Sequence, residues 1–202
     1  MTAKTAKTAK AASTTFQDRA HAGRELAAHL ERFAAGPPVV VGIAPGGVPV
    51  AYEISRAHDA PLEAWGCGTK GARPASSGAF HHGPHVPMRN ETVLLVDDGL
   101  STVATLRDAI RTIRQEKPHR VLVAAPVLVV GAAEHLDPSV DALVRLHERD
   151  SLHGAESTYQ QAEALDDAQV AAILDRRRAE RTTRPSIPPG VSTPPGPATG
   201  KP

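Results

Sequence analysis

The stretch VLLVDDGLSTVATL, residues 93–106, carries four apolar residues into two adjacent aspartates and then through a short polar turn into a segment of helical spacing. A short continuous apolar run bounded by turn residues reads as a strand buried on both faces. Beyond it Val103, Leu106, Ile110 and Ile113 fall on one face of a helix, TVATLRDAIRTIRQE. A strand that turns directly into a helix is the repeating unit of a parallel sheet covered by helices.

The rest of the chain repeats that unit. FQDRAHAGRELAAHLERFAAG places Leu26, Leu30 and Phe33 at helical spacing and stops at Gly36 before two prolines, as a helix terminus does. VVVGIA (39–44) is a β-branched strand, followed by the turn Pro45-Gly46-Gly47, the helix VPVAYEISRAHDA and the strand LEAW. After VLLV and its helix come the strand VLVAAP, a short helix near GAAEHL and the strand VDALVRL. Strands alternating with helices predict an α/β fold with an open, mostly parallel, doubly wound sheet. The segment from Gly66 to Asn90 is rich in glycine, proline and histidine and has no period, which in a compact domain suits a functional lid or a disordered stretch.

The two ends differ from the middle. Residues 1–14 repeat TAK three times, and residues 182–202 hold seven of the 18 prolines, so both are expected to be disordered tails around a working domain at 15–181. The formal net charge is +1, yet the tails hold five of the 23 basic residues and no acid. That leaves 18 basic against 22 acidic residues, a domain near −4, which argues against nucleic acid as a partner. No apolar run is long enough to span a bilayer and no secretion signal opens the chain, so the expectation is a cytoplasmic protein with no membrane contact. The single cysteine, Cys67, excludes an intramolecular disulfide and a multi-cysteine zinc site. Nothing in its local sequence activates it.

In such a sheet, ligands bind outside the carboxyl ends of the strands. Two loops lie there: Ala44-Pro45-Gly46-Gly47, and the run from Asp97 to Thr102. Free amides at the start of a helix favour a phosphate. Carboxylates just before them can accept hydrogen bonds from sugar hydroxyls, or help hold a magnesium ion whose other ligands are phosphate oxygens. The combination suits a sugar phosphate. The alternative is that Asp98 and Ser101 or Thr102 merely cap the turn and the helix.

VLLVDDGLSTVAT resembles the phosphoribosyl diphosphate (PRPP) motif of type I phosphoribosyltransferases, in which an apolar strand, two acids and three or four loop residues precede Thr-Gly-x-Thr. FQDRAHAG, GGVPVAYEIS and VDDGLST, in order and spacing, resemble a bacterial branch of that superfamily over about residues 16–178. The resemblance implies a small C-terminal hood on the sheet and transfer of a phosphoribosyl group from PRPP to a nitrogenous acceptor, with magnesium as cofactor. Asp97 and Asp98 would bind the 2- and 3-hydroxyls of the ribose and, through ribose and pyrophosphate, the magnesium. Gly99, Leu100, Ser101, Thr102, Val103, Ala104 and Thr105 would hold the 5-phosphate, Gly46 and Gly47 the pyrophosphate, and Lys70 would neutralise it. Tyr159 and Gln161 lie where the family carries a base-recognition region, although Tyr159 could equally pack the hood.

Three positions depart from the family pattern. The pyrophosphate loop commonly reads Pro-Arg-Gly-Gly, and the arginine is missing here. Ser101 stands where purine-salvage relatives carry a general-base aspartate. Val103 replaces the glycine that allows close approach to phosphate, although it also continues the apolar face of the helix. These departures keep a second reading open, a regulatory protein that senses PRPP or a nucleotide without catalysis.

His81, His82 and His85 lack an accompanying carboxylate framework and read as solvated rather than metal-binding. Arg176, Arg177 and Arg178 suit the end of a helix and receive no site. No Gly-x-Ser-x-Gly elbow, Walker lysine or Gly-x-Gly-x-x-Gly fingerprint occurs. The acceptor and the oligomeric state, a homodimer included, stay open at the level of sequence.

Overall fold

A computed structural model of the chain describes residues 16–30, 37–66, 85–99, 101–136, 138, 140–151 and 157–183. The expected tails, the C-terminal one apart from its first two residues, and most of the Gly66–Asn90 segment lie outside these residues. Within them the elements run α1 (Arg19–Leu30), β1 (Val39–Ile43), α2 (Gly47–Ala57), β2 (Leu62–Trp65), β3 (Thr92–Val96), α3 (Val103–Gln115), β4 (Arg120–Val129), a 3-10 turn (Ala132–His135), β5 (Ala142–Arg149) and α4 (Asp167–Thr183). The five strands form one sheet in the order β2-β1-β3-β4-β5, every pairing parallel.

Alternate residues of each strand feed two cores. Val40, Leu94, Val96, Leu122 and Ala124 pack with Leu26 of α1, Ile54 of α2 and Leu174 of α4. Val41, Val93, Leu95, Val121 and Val123 face the other way and pack with Leu106, Ala109, Ile110 and Ile113 of α3. The α/β fold with both faces covered is therefore as expected. Each such Leu, Ile or Val contributes about 1.5–3 kcal/mol by leaving water, and this is why the central strands read as unbroken apolar runs.

Some boundaries differ from the sequence reading. β4 does not end at Pro126 but continues to Val129. β3 pairs with β4 only as far as Val96 opposite Ala124, and Asp97 N donates to Ala124 O at 3.0 Å. Alternate residues of a parallel strand bond to the same neighbour, so the N–H that Pro126 lacks faces the side on which β3 has already ended. α4 runs to Thr183, two residues into the stretch expected to be tail, and the Thr182 and Thr183 hydroxyls donate back to the Arg178 and Ala179 carbonyls. The helix near GAAEHL is a single 3-10 turn. Arg177, to which sequence gave no role, is buried, and it donates to Ser55 Oγ, Ser55 O, Asp59 Oδ1 and Ala60 O, pinning α4 to the end of α2.

Before α4 the chain crosses back over the N-terminal segment. Phe16 and Tyr159 form a parallel bridge, with Phe16 N donating to Thr158 O and Gln160 N to Phe16 O, each at 2.9 Å. Residues 16–18 and 157–165 thus make one small two-stranded cover beside the carboxyl edge of the sheet.

Candidate functional site

The strand order fixes where a site can form. β1 continues to β2 on one side and β3 to β4 on the other, so the sheet changes direction between β1 and β3. The loops leaving those two strands part there and open a crevice at their carboxyl ends. One loop is Ala44–Gly46, containing a cis Ala44–Pro45 peptide and leading into α2; the other is the Asp97–Thr102 run leading into α3.

The loops touch through glycine. A Cβ placed on Gly46 would lie 2.0 Å from Asp98 Oδ2, and one on Gly47 2.6 Å from the Val96 carbonyl. A side chain at Gly47 would push α2 away from β3, and one at Gly46 would displace the Asp98 carboxylate. Gly99 has φ +91° and would meet Val127 O at 2.6 Å, so the second loop also turns on a glycine that no other residue replaces without strain.

Asp97 and Asp98 are both buried, at 1% and 5% exposure. Asp97 turns back into its own loop. Its Oδ2 accepts from Gly99 N at 2.8 Å and Ser101 N at 3.3 Å, and its Oδ1 from the Ser101 hydroxyl at 2.5 Å. Burial pushes its carboxyl up to about 6, helped by the charge of Asp98 and opposed by the Ser101 and Gly99 donors. Asp98 reaches across the sheet edge, where its Oδ2 accepts from Arg19 Nε at 2.9 Å. Arg19 belongs to the first turn of α1, with Asp18 Oδ1 capping that helix by accepting from His21 N. Its Nη1 donates to the Glu163 carbonyl, and its guanidinium lies 5.1 Å from the Tyr159 ring centre. The Tyr159 hydroxyl donates to the Asp98 carbonyl at 2.6 Å.

Thr102 caps α3, its Oγ1 accepting from Thr105 N at 3.2 Å and lying 3.0 Å from Thr105 Oγ1. Thr102 and Ala104 are exposed and Ser101, Val103 and Thr105 half-buried. The amides of a first helical turn have no acceptor within the helix and point to its N-terminal side. Together these groups make an open, polar, donor-rich helix end beside two buried acids. That arrangement can take a phosphate at α3 and hydroxyl donors at Asp97 and Asp98.

Gly46, Gly47, Asp97, Asp98, Gly99, Ser101, Thr102, Val103, Ala104 and Thr105 therefore come together at one sheet edge. Leu100 and Lys70 lie outside the described residues, as do Cys67, His81 and His82; His85 is exposed and pairs with Glu116 at 3.7 Å. Of the two readings of Tyr159, the packing one describes its setting: it is 1% exposed, with ring contacts to Phe16 and Arg19. Gln161 is exposed and lines a cleft of about 230 Å³ with Asp18, Arg19, Pro49 and Glu163. Of the capping alternative, Thr102 does cap α3, but the acid that accepts from the turn amides is Asp97, whereas Asp98 pairs with Arg19. Among the described residues no three His, Cys, Asp or Glu side chains gather to hold a metal. With Asp97 bonded to its loop and Asp98 to Arg19, a magnesium ion at this edge would draw its ligands chiefly from a bound phosphate compound.

Sequence missed Arg19. A cation in the first turn of a helix opposes the helix dipole, so its placement in FQDR was a local oddity that a partner elsewhere explains.

The phosphoribosyl transferase domain pattern matches residues 14–149. Proteins of two Mycobacterium tuberculosis strains, provisionally named phosphoribosyl transferases, are 25% identical over 206 residues covering 80% of this chain. The chain spans 46% of their length. A protein of Methanosphaera stadtmanae named transcriptional regulator GfcR is 28% identical over 108 residues, 54% of each chain. Among solved structures, TT1426 from Thermus thermophilus superposes with a TM-score of 0.67 at 27% identity, covering 80% of this chain and 98% of that one.

Proposed function

This chain belongs to the phosphoribosyl transferase domain family, and from that premise we propose that it is an enzyme transferring the phosphoribosyl group of PRPP to a nitrogenous acceptor in the cytoplasm, with release of pyrophosphate. The observation that carries the reading is the pair of buried, adjacent carboxylates between the N-termini of α2 and α3 at the carboxyl edge of the sheet. Asp98, and Asp97 in competition with the Ser101 hydroxyl, would accept the ribose hydroxyls. The first-turn amides of α3 with the Thr102 and Thr105 hydroxyls would hold the 5-phosphate. The backbone at Gly46 and Gly47, bare of side chains, would admit the pyrophosphate, with Lys70 as a further counter-charge. Magnesium, when bound, would neutralise the departing pyrophosphate. Catalysis of this kind is mainly positioning, since ribose C1 becomes cationic as the leaving group departs.

A second reading has its own support. Asp97 Oδ1 and Oδ2 and Asp98 Oδ2 already accept from donors of the chain itself, and the loop after β1 lacks an arginine. Together with the likeness to a transcriptional regulator, this suits a protein that binds PRPP or a nucleotide as a signal. Calorimetric titration with PRPP and magnesium, followed by a pyrophosphate-release assay over a panel of nucleobases, separates the two. Release with one acceptor supports the enzyme, and binding without release supports the sensor. No binding, with Asp97→Asn and Asp98→Asn equally silent, would sink both.

A further inference from the structure

Arg19 is the residue through which the two halves of the site meet. It bonds Asp98 of the acid pair, its side chain is 12% exposed, and it is 79 positions from Asp98 in the chain. Three distances define its place. Nε is 2.9 Å from Asp98 Oδ2, Nη1 is 2.9 Å from the Glu163 carbonyl, and Nε would be 3.2 Å from a Cβ on Gly46. The guanidinium thus lies against the glycine turn and the acid at once, and its Cζ lies over the ring of Tyr159, whose hydroxyl donates to the Asp98 carbonyl.

We propose that Arg19 is a positioning residue of the PRPP site, holding the Asp98 carboxylate against the Gly46 turn and tying it to the cover formed by residues 157–165. The proposal rests on the PRPP reading above. Its physical basis is that a guanidinium presents several donors in a rigid plane, so two bonds to fixed acceptors leave it, and the acid it holds, one orientation. The cleft beside Gln161 shares Arg19 as a wall.

The test uses the full chain, with Arg19→Gln, Arg19→Lys, Asp98→Asn and the double variant Arg19→Gln/Asp98→Asn, titrated with PRPP and magnesium. Loss of a charge-assisted bond at a buried acid is expected to weaken PRPP binding about tenfold or more in Arg19→Gln. The double variant is expected to bind no more weakly than Asp98→Asn, because Arg19 acts through that acid. Arg19→Lys keeps the charge but cannot reach both acceptors, and is expected to fall between wild type and Arg19→Gln. Wild-type affinity in Arg19→Gln or Arg19→Lys, or losses that multiply in the double variant, would overturn the proposal. Amide hydrogen exchange reads the same claim without ligand. Arg19→Gln should speed exchange at Gly99, Gln160 and Gln161 together, and unchanged exchange at Gly99 would overturn it. A wild type silent to PRPP but with these amides coupled would instead count against the PRPP reading alone.

Discussion

Asp97 and Asp98 are neighbours in sequence placed in different chemical settings. Asp98 faces a guanidinium, whereas Asp97 faces its own loop and is buried with its carboxyl pushed up to about 6. A raised acid binds more protons folded than unfolded, so its contribution to stability is present below its unfolded value near 4 and is lost as pH rises through about 6. The thermal midpoint of wild type relative to Asp97→Asn should therefore fall between pH 4 and 6 and level off above 7; a rising difference would contradict the assignment. Val103 is the other residue whose chemistry can be isolated. It opens α3 and is half-buried, and it is not part of the buried core that Leu106, Ile110 and Ile113 join further along the helix. If it crowds the phosphate, Val103→Gly should tighten PRPP binding while costing the helix up to about 1 kcal/mol. Unchanged or weaker binding, read by titration beside thermal melts, would show that the valine is not the obstacle.

At the scale of elements, what repeats locally was legible and what pairs at a distance was not. The strands announced themselves as apolar runs because both faces are buried, and α3 showed its period because one face packs on the sheet. The acid pair and the glycines were legible for a related reason, since each stands at the end of a strand where a turn must form. Arg19 with Asp98, and Arg177 with Ser55 across 122 positions, leave no period and no spacing rule to read. For Tyr159 the sequence left base contact and packing open, because its burial depends on Phe16 and Arg19, which are far away in the chain. Arg177 gives this scale its prediction. Its removal leaves the Ser55 and Ala60 carbonyls with one donor fewer inside the protein, so Arg177→Ala should lower unfolding stability by about 3 kcal/mol and loosen α4 first. Denaturant melts with hydrogen exchange would check it, and an α4 that exchanges at wild-type rates would refute the docking role.

For the whole molecule, the order β2-β1-β3-β4-β5 gathers the consequences of all these residues at one edge. One core seats α1, α2 and α4, the other seats α3, and the crevice between the β1 and β3 loops is where neither core closes over the sheet. The cover made by residues 16–18 and 157–165 stands beside that crevice and reaches it through Arg19. Sequence supplied the sheet and the loops, while the pairing of residues 16–18 with 157–165 is a property of the folded chain alone. The central claim is that this edge is a PRPP site built on Asp98. Its most direct test is calorimetric titration of the full chain with PRPP and magnesium, beside Asp98→Asn. The account predicts saturable binding in wild type that weakens about tenfold or more in the variant; no saturable binding in wild type, or equal affinity in Asp98→Asn, would contradict it.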